Sequence, residues 1–202
     1  MIFFDDLMLA IEEIKDLQKR IAVADDQNAF GQLYVAFMPK LFQFAQSIIK
    51  SKELAEEIVS DVFLKIWQNR ANLSNIDNFR LYLYISTKNT AFNYLSRHFR
   101  REVVSLDEMS LSLSSISYNP EQMLITSEVI NRINNAIAML PPRCKVIFKL
   151  VKEDGLKYNE IADLLNISVK TIDSQMAIAV KKIGNAINFD LKKEVKPPPR
   201  EL

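Results

Sequence analysis

The side chains best suited to chemistry in this sequence are basic and aromatic, and they concentrate between residues 79 and 101. This stretch contains no acidic residue and combines Arg80, Lys88, Arg97, Arg100 and Arg101 with Phe79, Tyr82, Tyr84, Phe92, Tyr94 and Phe99. Basic side chains neutralise phosphates, and aromatic rings stack on unpaired bases. The pattern favours contact with nucleic acid, but an amphipathic helix with a basic solvent face would contain the same residue types.

A second group of candidate residues lies between residues 157 and 183, where small, turn-forming and apolar residues have the spacing of a helix-turn-helix. The first helix is expected from about Asn159 to Leu165, and the second from a Ser168 N-cap to about Ile183. Asn166 tolerates the left-handed conformation that the turn requires. The second helix of this motif enters the major groove. Its residues expected at bases or phosphates are Ser168, Lys170, Thr171, Ser174, Gln175, Ile178, Lys181 and Lys182. A helical hairpin without a DNA role is the open alternative.

The residues that other chemistries need are few or far apart. The three glycines, Gly31, Gly155 and Gly184, exclude a glycine-rich phosphate-binding loop. The single cysteine, Cys144, excludes a disulfide framework and a cysteine-based zinc site, and it is expected to be buried. The single histidine, His98, makes a histidine-rich metal site or a conventional hydrolase triad improbable. We therefore expect no cofactor.

The net charge of +1, from 26 basic and 25 acidic side chains, hides an uneven distribution. Residues 102–140 carry one basic and five acidic side chains, whereas residues 141–202 carry twelve and eight. A net charge near zero therefore does not argue against nucleic-acid binding here. Few phosphate contacts are available in either half, so stable binding should need both halves to be presented together.

Apolar residues recur every three or four positions along most of the chain, which predicts an all-α fold. We expect two small helical domains joined by a flexible linker, with Pro39 bending or restarting one helix. The predicted parts are residues 1–101, an acidic serine-rich linker over 102–120, a helix-turn-helix domain over 121–190, and a mobile tail over 191–202. No apolar stretch reaches about 18 residues, and the N-terminus lacks a basic segment. Neither a transmembrane helix nor a secretory signal is expected, which predicts a cytoplasmic protein.

The helix predicted from about Lys52 to Arg70 has one apolar side and one charged side. The apolar stripe consists of Leu54, Ile58, Val62 and Ile66 with the adjacent row Ala55, Val59, Phe63 and Trp67. The charged side contains Glu57, Asp61, Lys65 and Gln68. Leu64 is the one apolar residue on that side. A single exposed leucine is ordinary, but its central position among opposite charges also fits contact with a partner.

Two further segments lie between this helix and the linker. Asn69 to Asn78 is rich in asparagine and is predicted to be a loop; asparagine can read base edges, but turns favour the same residue. The helix from Phe79 to Arg101 is expected to bury Leu81, Ile85, Phe92, Leu95 and Phe99. Lys88 falls within that face by angle, so it must snorkel or mark the edge of the face. The flank is expected to hold Arg80, Tyr84, Thr87, Tyr94 and His98.

Three blocks of this sequence, in order, resemble the conserved parts of bacterial sigma factors. Glu53 to Trp67 resembles their helix that binds core RNA polymerase, and Phe79 to Arg97 resembles their promoter-melting and −10-reading helix. Leu140-Pro-Pro-Arg-Cys and the helix-turn-helix resemble their −35-reading domain. The chain is similar to the extracytoplasmic function (ECF) subgroup of the sigma-70 superfamily, and most to its Bacteroidetes-type members, over about residues 15–185.

The resemblance implies a non-catalytic protein that binds core RNA polymerase and promoter DNA, duplex at −35 and opened at −10. By position, the polymerase contacts would be Leu54, Glu57, Ile58, Asp61, Leu64, Lys65 and Gln68. The −10 contacts would be Asn72, Ser74, Asn75, Asn78, Arg80, Lys88, Asn89, Asn93, Arg97, Arg100 and Arg101, with a flipped base held by the loop of residues 72–78. The linker would follow the RNA exit path. A membrane-anchored anti-sigma factor would be a further partner, and the chain itself would not enter a membrane.

The chain departs from the family at the −35 helix, where many relatives carry arginines and this sequence has Gln175, Ile178 and Val180. Ile178 could contact a thymine methyl group instead. Two other functional classes stay open on the residues alone. One is an autonomous helix-turn-helix regulator with an N-terminal sensing or dimerisation domain. The other is a nucleic-acid enzyme with a metal at Glu57 and Asp61, although no third ligand is in evidence.

Overall fold

The computed structural model describes residues 9–98 and 132–191, leaving out the side chains of residue 98 and of residues 187–191. Every regular element in these ranges is helical, and the predicted all-α fold is confirmed. The helices are α1 (Ile11–Ala24), α2 (Gln27–Ile49), α3 (Lys52–Gln68), the 3-10 helix η1 (Arg70–Asn75), α4 (Phe79–His98), α5 (132–138), α6 (Pro142–Lys152), α7 (Tyr158–Leu165) and α8 (Val169–Leu191). None of the helices in the described ranges combines the length and the apolar character needed to span a bilayer.

Several predicted features fall outside the described residues. They are the linker over 102–120, the −10 candidates Arg100 and Arg101, and the tail from 192 onward. The proposed domain boundaries therefore stay a prediction.

Polar residues between the first three helices fix where each helix begins and ends. Asp25 ends α1 with a left-handed φ of 51°. Asp26 then caps α2, because its Oδ1 accepts a hydrogen bond from the Ala29 amide at 2.9 Å. Lys50 ends α2 in the same left-handed region, and the Ser51 hydroxyl caps α3 by accepting from the Leu54 amide at 3.3 Å. The chain therefore reverses direction twice within short connections.

Pro39 lies inside α2, and of the two expected outcomes, a bend or a restart, the helix does not restart there. Phe37 and Leu41, on either side of the proline, are both buried in the same core. The carbonyl that loses its intrahelical partner is that of Val35, and Val35 and Pro39 are both exposed residues. Packing of both halves of the helix outweighs the local cost.

The core of the N-terminal half forms where α3 and α4 pack against α2. The predicted apolar stripe of α3 is confirmed: Ala55, Ile58, Val59, Val62, Phe63 and Ile66 are buried. Aromatic side chains fill the gaps, with the Phe30 and Phe63 rings perpendicular at 6.0 Å and the Phe44 and Tyr84 rings at 5.0 Å. This core gives the rest of α3, including Leu64, a fixed outward orientation.

Helix α4 is rotated relative to the prediction from periodicity. Phe92 is 37% exposed, whereas Tyr84 and Thr87, expected on the flank, are 1% and 0% exposed. The Thr87 hydroxyl donates to the Leu83 carbonyl at 2.8 Å, which removes the cost of burying it. Tyr84 is buried because the segment after α6 lies against it, a contact that local periodicity cannot predict.

The helix-turn-helix is present in the C-terminal half as predicted. Asn166 ends α7 with φ 54° and ψ 50°, the left-handed conformation expected of this residue. The Ile167 amide then bonds back to the Ala162 carbonyl at 3.0 Å, and α8 begins two residues later. Before α7, Gly155 has φ 66°, and the Leu156 amide bonds to the Leu150 carbonyl at 3.0 Å, which terminates α6. Cys144 is buried as expected.

The two halves share a continuous set of buried side chains. Ile147, Leu150 and Leu164 from the C-terminal half belong to the same cluster as Leu83 and Tyr84 of α4. The contact places α7 against α4, which is the helix predicted to bind the −10 element.

Candidate functional site

The outward side of α3 presents the charged residues predicted to bind a partner. Glu57, Lys65 and Gln68 are exposed, and Leu64 is 54% exposed among them. Asp61 and Leu54 are partly buried. Ile58 is 0% exposed and packs in the core, so it does not belong to this surface, and the expectation that it contacts a partner is corrected. The residue lies on the apolar stripe, which faces α2.

Glu57 is held in place by α4. The Tyr94 hydroxyl donates to Glu57 Oε1 at 2.8 Å, and this carboxylate raises the pKa of Tyr94. The bond connects the polymerase-binding candidates on α3 with the DNA-binding candidates on α4.

The segment predicted as a loop after α3 forms one 3-10 helix, η1, because Leu73 is buried and holds the turn against the core. Asn72, Ser74 and Asn75 remain exposed. Asn78 begins α4, since its Oδ1 accepts from the Leu81 amide at 3.1 Å. The three exposed polar residues are therefore displayed on a folded turn instead of a flexible loop.

Sequence reasoning missed the residues of α1 that hold η1. Gln18 is buried, and its Nε2 donates to the carbonyls of Leu73 at 2.7 Å and Ile76 at 3.0 Å. At the other end of η1, Arg70 is paired with Asp25. A signal for Gln18 existed, because it is a polar residue on the apolar side formed by Leu17 and the neighbouring isoleucines of α1.

A cleft of about 370 Å³ opens between α1 and η1. Its lining residues are Lys15, Gln18, Lys19, Val23, Ser74, Ile76 and Asp77. The volume lies near the lower end of the roughly 300–1,000 Å³ range of small-ligand pockets. Lys15 and Lys19, which the sequence reasoning also missed, are exposed at this cleft and would attract a phosphate.

The polar residues of α4 divide into two groups. Asn89, Asn93 and Arg97 are exposed and available to a ligand. Arg80 and Lys88 are instead engaged within the protein: Arg80 Nη2 donates to the Leu9 carbonyl at 2.6 Å, and Lys88 Nζ donates to the Leu164 carbonyl at 3.0 Å. Lys88 was expected to snorkel or to mark the edge of the buried face, and its ammonium instead bonds to a carbonyl of α7.

Asn78 is also engaged by the C-terminal half. Its Nδ2 donates to Glu160 Oε1 at 2.6 Å. The second oxygen of Glu160 accepts from the Lys157 amide at 2.8 Å, at the beginning of α7. Two of the predicted −10 contacts, Asn78 and Lys88, therefore hydrogen-bond to α7 in this structure, although Asn78 stays exposed.

Charged residues reinforce the contact between the halves. Lys40 Nζ donates to the Glu153 carbonyl at 2.9 Å and lies 3.7 Å from Asp154 Oδ1. Lys149 Nζ donates to Gln43 Oε1 at 2.9 Å. Burial raises the pKa of Asp154 to about 6, although Lys40 and the Tyr84 hydroxyl act in the opposite direction. The same burial raises the pKa of Tyr84 well above its usual value.

Helix α8 presents most of the predicted −35 residues to solvent. Ser168, Lys170, Ser174, Ile178, Lys181 and Lys182 are exposed, and Thr171 and Gln175 are partly buried. Lys170, Ser174 and Ile178 are spaced four apart and share one face. The Ser168 hydroxyl caps α8 by accepting from the Thr171 amide at 3.1 Å, so its first role is structural.

Two family models match the chain. Sigma-70 region 2 matches residues 33–101, and sigma-70 region 4 matches residues 130–183, together more than half of the sequence. The first match contains α3, η1 and α4, and the second contains the helix-turn-helix.

Individual relatives agree with the family models. The ECF RNA polymerase sigma-E factor of Escherichia coli (strain K12) is 28% identical over 170 residues, which is 80% of this chain and 88% of that protein. The RNA polymerase sigma-H factor of Pseudomonas aeruginosa is 25% identical over 188 residues, covering 89% of this chain and 96% of that protein. A solved structure of CnrH in complex with the cytosolic domain of CnrY is 22% identical, with a TM-score of 0.48, and covers 88% of this chain and 99% of that one.

The order of the two regions agrees with the geometry, because the region 2 match contains both the α3 surface and the displayed turn, and the region 4 match contains residues 169–183 of α8. The chain belongs to the sigma-70 family and is a sigma factor of the extracytoplasmic function type.

Proposed function

We propose that this sigma factor binds core RNA polymerase through α3, reads an opened −10 element with η1 and α4, and reads a duplex −35 element with α8. The observation that carries the proposal is the arrangement of three separate exposed polar surfaces on matched regions of one chain. Its role is specificity and initiation, without a catalytic step of its own.

The polymerase-binding surface is proposed to centre on Leu64, with Glu57, Asp61, Lys65 and Gln68 around it. An exposed leucine surrounded by charges has the composition of a small interface core with a polar rim. Leu54 lies at the edge of this surface.

For the −10 element, we assign the flipped base to the cleft between α1 and η1. Ser74 lines this cleft, and Asn72 and Asn75 are exposed on the same turn. Asparagine offers both a donor and an acceptor to a base edge. Asn89, Asn93 and Arg97 continue along α4 and would follow the opened strand.

For the −35 element, Lys170, Ser174 and Ile178 are proposed to face the major groove, with Lys181 and Lys182 at phosphates. A single apolar contact to a thymine methyl supplies less affinity than a bidentate arginine would. This agrees with a protein that depends on polymerase to hold both of its domains on a promoter.

We propose that the two halves separate on the promoter, since Asn78 and Lys88 hydrogen-bond to α7 in this structure. We propose that core polymerase, which is present in the cytoplasm, favours the separated arrangement. Members of this family are commonly inhibited by a membrane-anchored anti-sigma factor, and we propose one as a further partner.

The test is transcription by purified core polymerase, with and without this protein, from promoters upstream of its own operon. RNA that appears only when the protein is added is the expected result. Transcription independent of the protein across these promoters would contradict it. A gel shift on duplex promoter DNA separates the alternative of an autonomous regulator, which would bind tightly without polymerase.

A further inference from the structure

The buried amide of Gln18 connects α1 with the turn that displays Asn72, Ser74 and Asn75. Its single Nε2 donates to two backbone carbonyls, of Leu73 at 2.7 Å and of Ile76 at 3.0 Å. The Leu73 carbonyl also accepts from the Ile76 amide at 3.1 Å, so these bonds together define the last turn of η1. Ser74 and Asn75 lie between the two carbonyls that Gln18 holds.

The first turn of η1 is held from α1 as well. Arg70 Nη2 donates to Asp25 Oδ2 at 3.2 Å, and its guanidinium lies over the Trp67 ring at 4.8 Å. Arg70 Nη1 also donates to the Trp67 carbonyl at 3.1 Å. Helix α1 therefore contacts η1 at both of its ends.

Binding residues discriminate between ligands only when their support holds them within about 0.5 Å of the productive geometry. A 3-10 turn has poor hydrogen-bond geometry of its own, so it depends on such support. In this chain the support comes from a side chain 55 positions away, on a helix outside residues 33–101 matched by the region 2 model.

We infer that Gln18 is a positioning residue for base recognition at the −10 element: its buried amide fixes the geometry of Ser74 and Asn75 through the backbone of η1. The inference rests on the proposed function. Arg70 acts at the other end of the same turn, through Asp25 and Trp67.

The test replaces Gln18 by Met, which keeps the length of the side chain and removes both donors. Transcription is measured on a promoter library randomised across the −10 element, and the ratio of the best base to the other three is compared with the wild-type ratio. Loss of two hydrogen bonds to the turn should lower this ratio about tenfold. Gln32→Met, at an exposed position of α2, is the matched control and should keep the wild-type ratio.

A general loss of stability would lower transcription on all library members equally and would leave the ratio unchanged. Hydrogen exchange of the amides of residues 72–76 provides a second readout, and these amides should exchange faster in Gln18→Met alone. If Gln18→Met does not fold, Arg70→Lys tests whether support of η1 from its other end sets the base preference. This variant keeps the charge but loses the bidentate pairing with Asp25 at the surface.

The outcomes distinguish a failure of the proposed function from a failure of the positioning role of Gln18. If the wild-type protein supports no transcription, the proposed function fails. If the wild-type protein transcribes with a clear base preference and the folded variants keep that preference within about twofold, the positioning role of Gln18 is overturned.

Discussion

Lys88 on α4 donates a hydrogen bond to the carbonyl oxygen of Leu164, near the C-terminal end of α7, over 3.0 Å. Carbonyl groups at a helix C-terminus carry partial negative charge and attract cations. The Leu164 carbonyl therefore binds the Lys88 ammonium group, which the resemblance to sigma factors assigns to DNA. An ammonium group has three N–H donors, so the bond alone does not exclude a phosphate, but α7 lies against α4 at this point and should limit access of the −10 element to Lys88.

Replacing Lys40 by Met should open the contact between the halves. The ammonium lies 3.7 Å from the buried Asp154 carboxylate and bonds to the Glu153 carbonyl. Its loss leaves the Asp154 carboxylate and the Glu153 carbonyl without this partner. This should cost about 1–3 kcal/mol in the closed arrangement, in which α7 packs against α4. Small-angle X-ray scattering should then give a larger radius of gyration than wild type. Lys52→Met, at an exposed position, should not change it, and an unchanged radius in Lys40→Met would count against this prediction.

The closed arrangement should become less stable as the pH rises from about 4 to about 6. The pKa of Asp154 is about 6 in the structure, above its usual value of 3.8, so folding favours the protonated form. The stabilisation is complete below pH 4 and is lost as the carboxyl ionises, at about 1.4 kcal/mol per unit, or about 3 kcal/mol in all. Burial is the main cause of the raised pKa of Asp154; Lys40, Tyr84 and Lys149 act to lower this pKa, and Glu153 acts to raise it.

Denaturant unfolding of the wild type and of Asp154→Asn between pH 4.5 and 7 measures this effect. Asp154→Asn should lose this dependence of the free energy of unfolding on pH. The pKa values of Asp25 and Asp26 are lowered by Arg70 and by the Ala29 amide, so these groups titrate below this window and do not obscure the comparison. A wild-type stability that stays constant from pH 4.5 to 7 would contradict the raised pKa of Asp154.

Leu64→Glu should abolish binding to core polymerase while the fold is retained. The side chain is more than half exposed, and surface substitutions of this kind change stability by about 0.5 kcal/mol or less. The added charge would have to be buried in the interface, which is costly. Co-purification with core enzyme measures binding, with Val35→Glu on α2 as the control at another exposed apolar position. Retained binding in Leu64→Glu would place the contact elsewhere.

Asn166→Ala should destabilise the helix-turn-helix by about 1 kcal/mol, because alanine is strained at a φ of 54°. Asn166→Gly, which accepts this conformation without strain, should stay within a few tenths of a kcal/mol of wild type. The free energy of unfolding measures both variants. Equal stabilities of Ala and Gly would show that the turn does not impose this conformation.

Features that depend on neighbouring residues in the sequence were predictable. The apolar stripe of α3 follows from residues three and four apart, and the turn at Asn166 and the cap at Ser168 follow from the chemistry of single side chains. The polar surface on α8 was found for the same reason.

The remaining features depend on contacts between distant parts of the chain. Gln18 meets Leu73 over 55 positions, and Lys40 meets Glu153 over 113. Tyr84 looked like a flanking residue because nothing near it in sequence indicates that Asp154 will cover it. Ile58 was assigned to a surface by family position, although its own periodicity places it in the core.

The bond between Asn78 and Glu160 determines what kind of motion separates the two halves. Each residue keeps a second bond within its own half: Asn78 Oδ1 caps α4 through the Leu81 amide, and Glu160 Oε2 caps α7 through the Lys157 amide. When the halves part, Asn78 and Glu160 lose the bond to each other but keep these bonds within their own halves. Neither helix loses its first turn, so these two helices can move apart as rigid bodies without local unfolding.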